Sequence, residues 1–209
     1  MAELPPLYLI TDRHQVPTGK DLLGILEELL QAGVRLLQLR EKDLPAAELL
    51  PLATELRKLT RQYGCKLLLN DRIDVALAVE ADGVHLGGHS MPASVARRLL
   101  GPDKLIGVST HSLPEISTAI AQGADFVTFG PVYHTPSKEA YGAPVGLDNL
   151  RQACDDSRIP IYALGGIKLD NAAQINTTQA HGIAMISALL AADSPATSYQ
   201  QLLKTISNQ

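Results

Sequence analysis

The chain has 209 residues, 45% hydrophobic and 19% charged, with 16 glycines and 13 prolines; this is a globular composition long enough to bury one continuous core. Only Cys65 and Cys154 are present, without metal-knuckle spacing, so a disulfide scaffold is excluded and a reducing compartment is expected. Eighteen Lys and Arg against 22 Asp and Glu leave a net charge of −4, which lacks the positive field of a non-specific nucleic-acid binder.

Residues 1–9 contain no basic segment leading into an apolar stretch, and the longest apolar run, 183–192 interrupted by Ser187, is too short to cross a bilayer. The expected location is the cytoplasm, with neither membrane nor nucleic acid as partner.

In chain order, short apolar runs alternate with segments of helical period. A strand at 7–10 precedes a stripe of Leu22, Leu26, Leu29 and Leu30. A strand at 36–39 precedes a helix opened by Pro45 and Glu48 and carried by Leu49, Leu52, Ala53, Leu56 and Leu59. Strands at 66–69, 83–86, 105–108, 126–129 and 161–164 are followed by weaker stripes at 73–79, 95–100, 116–120, 147–153 and 172–175. A final strand at 183–186 leads to Ser194-Pro195, a helix start, and the stripe Tyr199, Leu202, Leu203 and Ile206. The strands lack polar alternation, as expected where both faces of a parallel sheet are buried.

An internal repeat marks the helix-to-strand turns: Ala32-Gly33-Val34, Ala81-Asp82-Gly83-Val84, Gly123-Ala124-Asp125-Phe126 and Ala180-His181-Gly182-Ile183. No linker or composition shift divides the chain, so one domain over 1–209 is expected. Eight strands alternating with eight helices predict a closed (β/α)₈ TIM barrel with parallel strands, at roughly 26 residues per unit against roughly 30 in a typical barrel. The competing open doubly wound sheet would show G-x-G-x-x-G after the first strand, and Gly19, Gly24 and Gly33 do not form it.

In a barrel, catalytic groups follow the strands at their C-terminal ends. Gln38, Arg40 and Lys42 alternate onto one face of an emerging strand, and two cations aimed at one spot suit a diphosphate or phosphate ester. The plain alternative is pairing with surface acids. For Asn70 and Asp71 the plain alternative is an N-cap on the helix starting near Arg72. Gly165-Gly166 and Ser187, after the seventh and eighth strands, have the form of a barrel phosphate site. The loop holding Thr135, Ser137 and Lys138 adds hydroxyls and a cation, with the length of a flap. His85 alternates within a buried strand as a hydrogen-bonded core residue would. His89, His111 and His134 fall on the proposed active face, without the spacing of a zinc site.

Gln38-Leu39-Arg40-Glu41-Lys42, Asn70-Asp71-Arg72, Ala81-Asp82-Gly83-Val84-His85-Leu86-Gly87, Gly107-Val108-Ser109, Gly123-Ala124-Asp125, Gly130-Pro131-Val132, Thr135-Pro136-Ser137-Lys138, Gly165-Gly166-Ile167 and Ile186-Ser187-Ala188 follow one another along the chain. In order and placement this series resembles the thiamin phosphate synthases and the related TenI proteins over nearly the whole length. The resemblance implies a (β/α)₈ barrel that binds small phosphorylated thiamin precursors. It implies that Gln38, Arg40, Lys42 and Asn70 hold the diphosphate of hydroxymethylpyrimidine diphosphate, assisted by Ser109 and Lys138. Thiazole phosphate falls to the loop from Thr135 to Ser137, Gly165, Gly166, Ile186 and Ser187. In the synthases, magnesium neutralises departing pyrophosphate while the thiazole nitrogen captures a pyrimidine-stabilised cation.

Synthases commonly carry a second magnesium carboxylate after the fourth strand. Here Gly87-Gly88-His89-Ser90 leaves Asp71 as metal ligand with Ser90 in the second position. That departure resembles the TenI branch, whose characterised members shift a proton on a thiazole carboxylate phosphate without a metal cofactor. The leading expectation is therefore a TenI-like thiazole tautomerase; because Pro131 occupies the usual histidine position, His134 is the expected proton carrier, with His89 and His111 behind it. The alternatives are a magnesium-dependent thiamin phosphate synthase and a non-catalytic phosphate-ligand-binding regulator. The sequence leaves a homo-oligomer open.

Overall fold

The computed structural model describes residues 4–135 and 143–207. Eight parallel strands close into a barrel in sequence order: β1 (Leu7–Ile10), β2 (Leu36–Leu39), β3 (Lys66–Asn70), β4 (Gly83–Leu86), β5 (Leu105–Thr110), β6 (Phe126–Phe129), β7 (Ile161–Leu164) and β8 (Gly182–Met185). Closure is made by β1 on β8, with Leu7, Tyr8 and Leu9 opposite Ile183, Ala184 and Met185. Around the sheet lie α1 (Leu22–Ala32), α2 (Ala46–Gln62), α3 (Ile73–Ala78), α4 (Ala93–Leu100), α5 (Leu113–Ala121), α6 (Gly146–Asp156), α7 (Ala172–Ile175), α8 (Ser187–Leu190) and α9 (Pro195–Ser207).

The predicted (β/α)₈ barrel is the fold. Some details differ from the sequence reading: β3 extends to Asn70, and β8 spans Gly182–Met185 where 183–186 was expected. β5 runs on to Thr110, and a short α8 makes nine α-helices among the described residues where eight were expected. The apolar run at 183–192 masked that helix: the strand ends at Met185, and Leu189 and Leu190 are buried on the next element.

Strand alternation builds two cores. Leu9, Leu37, Leu69, Val84, Ile106 and Val127 pack outward beneath the helices, whereas Tyr8, Ile10, Leu36, Leu68, Phe126, Tyr162 and Ala184 fill the barrel. Both strand faces are thus withdrawn from water, which accounts for the continuous apolar runs.

The repeated turns hold the N-terminal end of the barrel. Asp82 accepts from the Leu67 amide at 2.8 Å and pairs with Arg57 at 2.6 Å. One unit pair further on, Asp125 accepts from the Ile106 amide at 2.7 Å and pairs with Arg97 at 2.6 Å. Cys65 is buried and Cys154 half-buried, and both are free thiols whose pKa burial pushes up to about 12. No helix among the described residues is long and apolar enough to cross a membrane.

Candidate active site

A cavity of about 980 Å³ opens at the C-terminal end of the strands. Its described lining takes Gln38, Arg40 and Lys42 from β2 and the loop after it, Asn70 and Asp71 from the end of β3 and the residue after it, and His85 from β4. His89 and Ser90 follow β4, Ser109 comes from β5 and His111 follows it, and Leu164 and Ile186 form the β7–β8 wall.

Arg40 and Lys42 make no ion pair among the described residues, so the plain alternative of pairing with surface acids does not describe them. The neighbouring acids are engaged by another cation. Asp43 receives both terminal nitrogens of Arg13, and buried Glu41 accepts from Thr11 Oγ1 at 2.6 Å and from the Arg13 amide at 3.0 Å. Thr11 Oγ1 in turn accepts from the Arg40 amide at 2.8 Å, which fixes the backbone where the cations emerge. Lys42 is exposed at the mouth. Desolvation by its surroundings and repulsion from Arg40 lower its pKa, against an opposing pull from Asp71.

Asn70 and Asp71 do not cap α3: its N-cap residue is Arg72, which makes no side-chain capping bond there. Asp71 holds a left-handed backbone with φ of 64°, and its amide donates to the His85 carbonyl at 2.9 Å. A non-glycine residue in that conformation is uncommon, and here it leaves the carboxylate at the cavity rather than on a helix end. Ser90 closes its own loop, its Oγ accepting from the Gly87 amide at 2.7 Å.

At the cavity floor four side chains connect two of the expected site residues. Gln38 Nε2 donates to the Tyr8 hydroxyl at 2.7 Å, Tyr8 lies 3.2 Å from His85 Nδ1, and His85 Nε2 lies 3.0 Å from Ser109 Oγ. His111 Nδ1 bonds the Gly130 carbonyl, which requires a proton on that nitrogen.

On the β7–β8 side the arrangement differs. Gly165 and Gly166 have φ of 99° and 66°, and the Tyr133 amide donates to the Gly165 carbonyl at 3.0 Å. A Cβ on Gly166 would meet the His134 carbonyl oxygen at 2.7 Å and Tyr133 Cβ at 2.7 Å. The double glycine therefore admits the segment after β6. Of the residues expected to hold thiazole phosphate, Ile186 lines the cavity; Thr135, Gly165, Gly166 and Ser187 are not in its described lining. His134 is exposed and likewise outside that lining. Ser137 and Lys138 lie outside the described residues.

Sequence reading passed over Tyr8, Thr11 and Glu41. The signal for Tyr8 was parity: it shares a strand face with Ile10, and the same alternation puts Gln38, Asn70, His85 and Ser109 inside. Thr11 and Glu41 carried no local signal, because their roles come from contacts between loops 30 residues apart.

The family model described as thiamine monophosphate synthase matches residues 7–189. A Geobacter sulfurreducens protein named "Putative thiamine-phosphate synthase" is 57% identical over 90% of this chain and 88% of its own length. The "Thiamine-phosphate synthase" of Chloroflexus aurantiacus is 43% identical over 96% of this chain and 92% of its own. The solved structure of thiamine phosphate pyrophosphorylase from Pyrococcus furiosus superposes with a TM-score of 0.86 at 38% identity, covering 96% and 94% of the two chains. The barrel, the cavity at its C-terminal end and these matches together place the chain in the thiamine monophosphate synthase family.

Proposed function

We propose that the protein is a thiamine-phosphate synthase, coupling hydroxymethylpyrimidine diphosphate to thiazole phosphate with release of pyrophosphate in the cytoplasm. The observation that carries this reading is Arg40 and Lys42, two cations without an ion pair among the described residues, standing over a cavity that also holds Asn70 and Asp71. The relatives named as synthases add to it. The tautomerase expectation rested on Ser90 in the second metal position, which lines the cavity, and on His134 as proton carrier, which is outside the described cavity lining.

In the reaction, the bond from the pyrimidine methylene carbon to the diphosphate oxygen breaks and its electron pair leaves with the diphosphate. The thiazole nitrogen then forms the new bond to that carbon. Arg40 and Lys42 bind the diphosphate as charge-assisted donors, and the Asn70 amide and Ser109 hydroxyl add neutral donors. Ile186 and Leu164 supply an apolar wall that keeps water from the carbocation. Lys138 remains a proposed assistant at the diphosphate, and Thr135 and Ser137, with the backbone of Gly165 and Gly166, Ile186 and the Ser187 hydroxyl, remain the proposed partners of thiazole phosphate.

Magnesium fits this donor set as a cation carried with the substrate. Such an ion needs one or two carboxylates besides phosphate oxygens and keeps several waters, and Asp71 supplies one carboxylate. When bound, it supplies charge neutralisation of the leaving group. Among the described residues no three His, Cys, Asp or Glu side chains gather into a ligand set, so affinity for the free ion is expected to be weak.

Supplying both precursors with and without magnesium tests the proposal. Thiamin phosphate and pyrophosphate should form only with the metal. In Ser90→Asp, which retains an acceptor for the Gly87 amide and adds a second carboxylate, the magnesium concentration for half-maximal rate should fall about tenfold. Failure to couple the precursors, with isomerisation of thiazole carboxylate phosphate instead, would establish the tautomerase reading.

A further inference from the structure

We propose that Gln38, Tyr8 and His85 form a one-way hydrogen-bond relay that holds the Ser109 hydroxyl as a donor into the cavity, which makes Tyr8 and His85 positioning residues for departure of the diphosphate. The proposal rests on the synthase reading above and adds two residues and a tautomer to it.

The direction follows from counting protons. Gln38 Nε2 can only donate, so the Tyr8 oxygen 2.7 Å away accepts and its single O–H is left for another partner. That partner is His85 Nδ1 at 3.2 Å. An imidazole nitrogen that accepts carries no proton, so the neutral ring has its hydrogen on Nε2 and donates to Ser109 Oγ at 3.0 Å. Ser109 then keeps its own O–H, which has no acceptor among the described residues and opens on the cavity.

With the Gln38 amide turned over, every bond reverses. Tyr8 would donate to Gln38, His85 Nδ1 would donate to Tyr8, and Ser109 would donate to Nε2, turning an oxygen lone pair toward the ligand. A departing diphosphate accumulates negative charge, which a donor stabilises and a lone pair repels. Only the forward direction serves this chemistry.

The relay is built rigidly. Tyr8, Gln38 and His85 are 0%, 1% and 3% exposed. The His85 ring is packed by Tyr8 and Phe126, with centroids 5.7 and 6.0 Å away. A Cβ on Gly107 would come within 2.6 Å of His85 Nδ1, so glycine there makes room for the ring. Burial drives the Tyr8 pKa well above 10.0, which keeps the phenol protonated.

Two measurements test the relay. Nitrogen-15 NMR of the histidine-labelled protein should place the His85 proton on Nε2; a proton on Nδ1 overturns the direction, whatever reaction the enzyme performs. In the coupling assay, Tyr8→Phe should lower kcat at least about tenfold while both KM values stay within about twofold. Tyr162→Phe removes a neighbouring buried hydroxyl that bonds the Pro5 carbonyl and is outside the relay, so it should leave kcat within about twofold. In a Ser109→Ala background, Tyr8→Phe should cost nothing further, since the group it positions is gone. Equal kcat losses in the two tyrosine variants, or an undiminished Tyr8→Phe effect without Ser109, would overturn the relay. If the wild type does not couple the precursors, the synthase reading fails, and the NMR tautomer alone supports or overturns the relay.

Discussion

Along β2 and its exit the side chains divide by parity. Gln38, Arg40 and Lys42 line the cavity, and Glu41, which also borders it, is engaged in accepting from Thr11 and Arg13. Placing the cations side by side has a cost that falls on Lys42, whose pKa is below the ordinary 10.5 through desolvation and Arg40. In the window between the lowered folded value and the ordinary unfolded value, the unfolded chain binds more protons, so this group makes folding stability rise with pH there. Ligand binding has the opposite sign, because an anionic diphosphate favours the charged lysine. Pyrophosphate affinity should therefore fall as pH rises through the lowered Lys42 pKa, earlier than a lysine at 10.5 would allow. Calorimetric titrations of wild type and Lys42→Arg across this range test it, since their ratio cancels the ligand's own ionisation and the guanidinium stays charged. A ratio unchanged up to pH 10.5 would refute the shift.

The elements themselves were largely legible from sequence. Eight runs without polar alternation are eight doubly buried strands, and the residues just beyond the ends of β2, β3, β4, β5 and β8 line the cavity. What could not be read was contact between loops. Asn70 and Asp71 fit an N-cap motif by spacing, and only the left-handed backbone at Asp71, pinned by the His85 carbonyl, shows that the turn ends before capping begins. Gly165-Gly166 has the form of a phosphate loop, yet a nearer physical requirement is the Tyr133–His134 backbone lying against Gly166. From this contact Gly166→Ala should lower stability by about 1–3 kcal/mol through a strained φ and a displaced neighbouring segment. It should also weaken thiazole phosphate binding, while pyrophosphate affinity at the β2–β3 side stays within about twofold. Thermal melts with separate titrations of the two ligands check this, and equal weakening of both would mean that the β6–β7 contact supports the whole cavity.

At the scale of the molecule, the two barrel ends have separate duties. Expected site residues crowd the C-terminal end, while the N-terminal end carries the Asp82–Arg57 and Asp125–Arg97 pairs of the repeated turns. The second pair is dense: Arg97 also donates to the carbonyls of Gly101, Lys104 and Gly123, so one guanidinium joins α4 to the approaches of β5 and β6. Removing the Asp125 carboxylate leaves the Ile106 amide without its acceptor and a partly buried cation without its counter-ion. Asp125→Ala should cost about 2–3 kcal/mol, in the upper part of the range of about 1.5–3 kcal/mol for hydrogen bonds to charged groups. At about 2–4 °C per kcal/mol for a chain of this size, the midpoint of thermal unfolding should drop by about 4–12 °C. Below that midpoint kcat/KM should remain within about twofold of wild type, because no reacting group is disturbed. Calorimetry and steady-state kinetics on the same preparation separate the duties. A large fall in kcat/KM with the midpoint unchanged would mean that the lower end of the barrel sets the geometry of the upper one.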